Sequence, residues 1–356
     1  MQPSAQPLRN LAEAERRYYA ELERFKQLCF RLIDQGQSYQ VVILNHELFR
    51  FLYPAEPYLG FVHNDPVPFA LEHLSQLIAL GESMLDVVKG YRLAQEDVRH
   101  ADLGLEIDTS DFYSSLWKRF DREVLVNEAV RLLERRLPPD ILAEHVKGKR
   151  VLDMGCGSGR YALALAAAGA GEVVAIDYQS KAFDRAREYA EGARLSVRFM
   201  EGDVLHLPFS DRSFDFIFSN GVLHHTRDWA RGVAEYARVL RRAGYLYLYA
   251  RGGFFWTARE VMREIFQRIP KDYAQMVLTM IGLPRNRFIF MDVWFVPIEC
   301  HIARTELEQL MRSLGLRFSA IRSENTFDPN FALSANMAGA EIVWGEGEHR
   351  YLVTRQ

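Results

Sequence analysis

From Lys149 to Ala250 the chain alternates short apolar runs with segments of helical periodicity. "KRVLDM", "EVVAID", "LSVRFM", "FDFIFSN" and "YLYLYA" are rich in branched and aromatic residues and read as strands. "GRYALALAAAGA", "SKAFDRAREYAEGA" and "RDWARGVAEYARVLRRAG" repeat their apolar residues at helical spacing and read as helices between those strands. Strands this apolar have little polar face to offer water. They need cover on both sides, and alternating strands and helices supply it as a parallel sheet flanked by helices. "LRFSAIRS" and "HRYLVTRQ" read as closing strands near the C-terminus.

The rest of the chain is organised around this core. With 356 residues the chain exceeds a single typical domain. Residues 1–110 form a helical accessory region. Its first helix, 11–33, repeats Leu11, Tyr18, Leu22, Phe25, Cys29 and Leu32 on one face. "VVILNHELFRFLY" is a second apolar segment, and residues 68–98 read as helical. Residues 111–148 form a helical lead-in, capped by "DTSD" at 108–111 and stopped at Pro138-Pro139. The core spans 149–250, a helical insertion 251–300, and the end of the core sheet 301–356. Three widely spaced cysteines, with no CxxC, argue against a disulfide framework or structural zinc. A net charge of −3 with both signs interspersed disfavours nucleic acid as the main partner. "MQPSAQPLRN" lacks a signal-peptide pattern, and no apolar run has spanning length, so a cytoplasmic location is the default expectation. A homo-oligomer remains open.

Gly155, Gly157 and Gly159 follow the first strand directly, in "VLDMGCGSGR". Glycines there let backbone approach a ligand closely. The dinucleotide fingerprint would need a glycine at 160, where this chain has Arg. Asp153, two residues before the first glycine, would repel a pyrophosphate and suits a cationic amino group. Asp177 ends the second strand at the distance where an acid takes ribose hydroxyls. Asp203 follows the third strand and is placed to accept from an adenine amine. Three acids at successive strand ends around a glycine loop describe a nucleoside with a positively charged amino-acid tail, S-adenosyl-L-methionine.

These segments resemble class I SAM-dependent methyltransferases in order and spacing. "VLDMGCGSGR" is similar to that family's first motif, "VVAID" to its second, "GDVLHLPF" to its third and "FDFIFSNGVLHH" to its fourth. "ARVLRRAGYLYLY" resembles the family's "RVLKPGG" and following strand, with Arg241-Arg242-Ala243-Gly244 departing in the turn. The resemblance covers roughly residues 115–250. It implies a Rossmann-like sheet of seven strands, the last antiparallel, and S-adenosyl-L-homocysteine as product. It implies cofactor contacts from Asp153, Gly155, Cys156, Gly157, Gly159, Asp177, Tyr178, Asp203, Val204 and Asn220. Cys156 reads as a small filler in the loop more readily than as a reactive thiol.

The acceptor is less legible. A small or medium metabolite methylated at O, N or C is the leading expectation. A protein or peptide acceptor and an inactive scaffold of the same fold are the alternatives. His224 and His225 offer imidazoles for proton removal, or pack and cap locally. His301 is a candidate substrate contact; with Glu299 and Cys300 it has metal-ligand residue types, but three neighbours rarely converge on one ion. Tyr113, Trp117 and Phe120 share a helical face and suit a lid or a buried helix. "FIFMDVWFVPIE" suits a pocket wall, or burial against the N-terminal helices or a second subunit. Arg263, Arg268, Lys271, Arg285 and Arg287 suit an anionic substrate or a solvated face.

Overall fold

The structure is a computed structural model that describes residues 11–52, 66–87, 129–179, 183–253, 255–283, 287–321 and 339–355. Tyr113, Trp117 and Phe120, which suit a lid or a buried helix face, lie together with Arg285 outside the described residues. The chain divides into two units: 1–101 with 253–296 and 326–347, and 102–252 with 297–325 and 348–356. The N-terminal region and most of the insertion after the fifth strand therefore belong to one unit.

That helical unit contains α1 (Leu11–Asp34), α2 (Ser38–Leu52), α3 (Pro66–Val87), α8 (Trp256–Phe266), α9 (Lys271–Met280), α10 (Arg287–Phe295) and α12 (Ala340–Trp344). Tyr18, Leu22, Phe25, Cys29 and Leu32 of α1 are all buried, as their spacing predicts. Phe290, Met291, Val293 and Trp294 of "FIFMDVWFVPIE" are buried. Trp294 stacks on Phe266 at 4.0 Å, and Phe290 lies 4.6 Å from Phe49 of α2. The burial reading of that segment holds.

The second unit carries a seven-stranded sheet in the order β3-β2-β1-β4-β5-β7-β6. Its strands are β1 (Arg150–Met154), β2 (Glu172–Asp177), β3 (Val197–Glu201), β4 (Phe214–Asn220), β5 (Leu240–Arg251), β6 (Leu316–Ala320) and β7 (Glu348–Arg355). β7 runs antiparallel to both neighbours, β5 and β6, while β1 to β5 pair in parallel. Its helices are α4 (Ala129–Glu134), α5 (Arg160–Ala167), α6 (Asp184–Gly192), α7 (Trp229–Val239) and α11 (Arg304–Ser313). Leu152, Val174, Ile217 and Leu246 face α7 and α11, whose Val233, Tyr236, Leu307 and Met311 are buried against them. Val151, Val173, Phe216 and Tyr247 face the opposite layer with Ala162, Leu163, Ala186 and Leu133. The central strands are covered on both faces, which is why β1, β2 and β4 read as continuous apolar runs, while β3 at the sheet edge is only partly buried.

One boundary differs from the sequence reading. α7 stops at Val239, five residues before Gly244, and Leu240 already pairs with Phe214. The chain then bulges through Ala243, at φ 57°, before Tyr245 resumes the ladder opposite Phe216. A Cβ on Gly244 would lie 2.9 Å from the Asp215 carbonyl oxygen, so the glycine is sterically required there. The basic residues of "RRAG" look helical by propensity but belong to this turn.

The strand order reverses between β1 and β4. In an open α/β sheet the crevice beyond the strand ends at such a point is where ligands bind.

Candidate active site

The sheet register fixes which side chains share the crevice. Asp153 lies beside Ala175 of β2 and Phe218 of β4, and Phe218 lies beside Tyr247 of β5. Side chains two residues apart on a strand share a face. Asp153, Asp177, Asn220 and Tyr249 therefore rise from the same face, at successive strand ends, and Arg350 joins them opposite Tyr249 on β7.

The loop after β1 is shaped by backbone that only glycine adopts comfortably. Gly155 and Gly159 have φ of 59° and 75°. A Cβ on Gly155 would sit 2.6 Å from Val222, and one on Gly159 would sit 2.6 Å from both Ala186 and Phe199. Gly159→Val combines that overlap with a left-handed backbone, and is expected to destabilise the fold by about 2–4 kcal/mol. Denaturant unfolding measures this; an unchanged midpoint contradicts the packing.

Asp153 is buried, and its Oδ2 has no hydrogen-bond partner. Burial, reinforced by the negative charge of Asp177, holds its carboxyl well above the usual carboxylate range. Cys156 is buried within the loop, and burial pushes its thiol well above the usual value, with Asp177 and Asp153 adding to the effect. A thiol so held is a poor nucleophile, in keeping with a filler role. Asp177 braces the loop: Oδ2 accepts from the Gly157 N–H at 2.8 Å and Oδ1 from the Tyr178 N–H at 2.8 Å. Tyr178 is largely exposed beside it.

Asp203 uses both oxygens locally. Oδ1 accepts from the Leu205 N–H at 2.8 Å, and Oδ2 lies 3.0 Å from His206 Nδ1. Val204 turns into the core. Asn220 ends β4, and its Oδ1 accepts from Arg136 Nε at 2.6 Å.

The histidines differ. His224 is buried; its Nδ1 accepts from the Arg251 N–H at 3.3 Å, and its carbonyl accepts from the Cys300 N–H at 2.8 Å. His225 is half-buried, with Nδ1 2.8 Å from the Ile298 carbonyl oxygen. A carbonyl can only accept, so this contact puts the proton on Nδ1 and leaves the lone pair of the neutral ring on Nε2. His301 is exposed. Its neighbour Glu299 pairs with Arg251, and burial lifts the Cys300 thiol to about 11.

A family model for a methyltransferase domain matches residues 152–248, the strand and loop set just described. A demethylmenaquinone methyltransferase from Deinococcus radiodurans is 35% identical over 218 residues, covering 58% of this chain and 84% of that protein. This chain belongs to the class I SAM-dependent methyltransferases. It is also 33% identical to 27-O-demethylrifamycin SV methyltransferase from Amycolatopsis mediterranei, over 42% of this chain and 54% of that protein. A demethylmenaquinone methyltransferase from Staphylococcus aureus is 29% identical over 37% of this chain and 55% of that protein. The methyltransferase thus spans about half the length of these last two relatives.

The crevice suits the family's S-adenosylmethionine. The orphaned Asp153 oxygen calls for a cationic or hydrogen-bond-donating group, and the glycine loop leaves backbone accessible where side chains would intrude. Two features were missed in sequence. Arg136 sits in "LERRLPP", which reads as an ordinary basic helix end. The Tyr249 hydroxyl donates to Glu348 at 2.7 Å, and Glu348 pairs with Arg350, partners far apart in the chain. Among the described residues, no helix is long and apolar enough to cross a membrane.

Proposed function

We propose that this methyltransferase acts on a small-molecule acceptor, at an oxygen, nitrogen or carbon. The observation that carries the reading is the identity with the Deinococcus enzyme, whose name specifies a low-molecular-weight acceptor. S-adenosylmethionine, when bound, supplies a methyl group already activated on a sulfonium. What remains for the protein is to bind, orient and exclude water. Asp153, whose burial favours the protonated carboxyl in the ligand-free protein, gives up that proton as it meets the donor's ammonium. Asp177, already fixing the loop through Gly157, offers its carboxylate to the ribose hydroxyls. Asp203 borders the adenine through lone pairs beyond those used in its turn, and Val204, its side chain in the core, contributes backbone there. Gly155, Cys156, Gly157, Gly159 and Tyr178 form the remaining wall. His225, with its lone pair on Nε2, is the group suited to take a proton from a hydroxyl or amine acceptor. His224, held by Arg251 and Cys300, positions that loop, and exposed His301 is a candidate contact to the acceptor's outer part.

The test is to incubate the protein and methyl-labelled S-adenosylmethionine with an extract split into low-molecular-weight and protein fractions. Label in a compound heavier by one CH2 supports the reading. Label confined to protein overturns it.

Asp153 gives a second expectation. Asp153→Asn copies the protonated carboxyl. In the wild type, the folded state holds the proton above the unfolded value. Its stability relative to the variant is therefore fullest at acid pH. It falls as pH rises above about 4, by at most about 1.4 kcal/mol per pH unit. Denaturant melts of both ligand-free proteins between about pH 5 and about pH 9 measure the gap. A gap that does not widen with pH contradicts the buried-carboxyl assignment.

A further inference from the structure

The crevice lies at the C-terminal ends of the parallel strands. Their N-terminal ends carry a different chemistry. β1, β2, β4 and β5 run in one direction, so the turns that lead into them gather at one end, the base of the sheet. Lys147 and Lys149 stand in the turn before β1, Arg212 in the turn before β4, and Arg241 and Arg242 in the bulge of β5. All five are exposed. The turns adjoin: Arg241 Nε donates to the Arg212 carbonyl at 3.3 Å, and the Arg150 N–H donates to Asp215 Oδ2 at 3.0 Å. The base also holds acids, and each has a cation of its own. Asp215 pairs with Arg241 at 2.7 Å, Glu172 with Arg150 at 2.8 Å and Asp211 with Arg238 at 3.0 Å. Lys147, Lys149, Arg212 and Arg242 form no ion pair among the described residues. Four cations are thus left in excess, beside the small residues Gly148, Gly171, Ser213 and Ala243 of the same turns. Four neighbouring strands spread them over about 15 Å.

We propose that the base of the sheet is a docking surface for an anionic lipid bilayer. Unmatched cations on short turns need phosphate groups spread in a plane. Headgroups diffuse within their leaflet, so each cation gathers one while the paired acids keep their partners. A nucleic acid holds its phosphates at fixed spacing and would press some of them against Asp211, Asp215 and Glu172, which alternate with the cations. Docking of this kind is electrostatic adsorption without insertion. A cluster of four Lys and Arg side chains is enough for it, and salt screens it. The crevice stands at the opposite ends of the same strands and stays uncovered.

Cosedimentation of the intact protein with vesicles tests this, using phosphatidylcholine alone or mixed with phosphatidylglycerol. Binding is expected to the mixed vesicles only, and to fall by about tenfold or more between about 0.05 M and about 0.5 M salt. Lys149→Glu with Arg242→Glu is expected to weaken it by about tenfold or more. Arg16→Glu with Arg17→Glu, at exposed positions of α1, makes the same change in net charge away from the base and should weaken it by less than about threefold. Thermal melting checks that both variants fold; if the first does not, the milder Lys147→Gln with Lys149→Gln replaces it, with a smaller loss expected. Equal losses in the two charge-reversed variants overturn the proposal, as do equal binding to both kinds of vesicle and no binding to either. Tighter retention of single-stranded polyuridylate than of mixed vesicles, at equal phosphate concentration, also overturns it and assigns the base to a nucleic acid.

Discussion

Asp177→Ala is expected to weaken S-adenosylhomocysteine binding by about 100-fold or more. In the ribose role proposed for Asp177, two charge-assisted hydrogen bonds, each worth about 1.5–3 kcal/mol, disappear together. The loop loses its brace as well, because the Gly157 N–H then has no carboxylate to bond. Asp177→Asn keeps one oxygen for Gly157 and is expected to fall between. 5′-Methylthioadenosine keeps the ribose and adenine but has no amino-acid tail. Asp177→Ala should weaken it by the same factor as S-adenosylhomocysteine. Titration calorimetry with both ligands measures this, and unaltered affinity of Asp177→Ala would remove Asp177 from the ribose site.

The contrast between Asp177 and residues with distant partners explains how much of the site was legible in the chain. Asp153, the glycines and Asp177 are local features. Each stands at a strand end that its own flanking residues define, so spacing alone brings them to one edge. The strands from Lys149 to Ala250 were legible for the same reason: burial on both faces leaves an unbroken apolar signature. The end of α7 was not, because Leu240 leaves the helix to pair with Phe214, a partner that propensity does not contain. Asp203 illustrates a different limit. Its carboxylate serves both as a turn cap to Leu205 and as a candidate ligand contact, and the residues around it fit either role. Arg136 acquires meaning only through Asn220, 84 residues away, and Tyr249 only through Glu348, 99 residues away. Periodicity carries no information about such partners.

The same long-range contacts assign the two histidines different expected behaviour. His225→Asn is expected to lower kcat by about 100- to 10,000-fold if the acceptor sheds a proton during transfer, with S-adenosylhomocysteine affinity unchanged. The choice of asparagine matters. Its amide N–H can replace the Nδ1–H that donates to Ile298, so the loop keeps its anchor, while the lone pair at Nε2 is removed. His224→Asn is the matched control. Its amide oxygen can accept from the Arg251 N–H as Nδ1 does, so kcat should change by less than about tenfold. The pH profile adds the decisive reading. The wild-type rate should rise with pH as one imidazole loses its proton, and His225→Asn should lose that limb whereas His224→Asn keeps it. Equal losses in the two variants would mean that the pair shapes the loop and removes no proton. An undiminished His225→Asn rate would mean that the acceptor arrives already deprotonated.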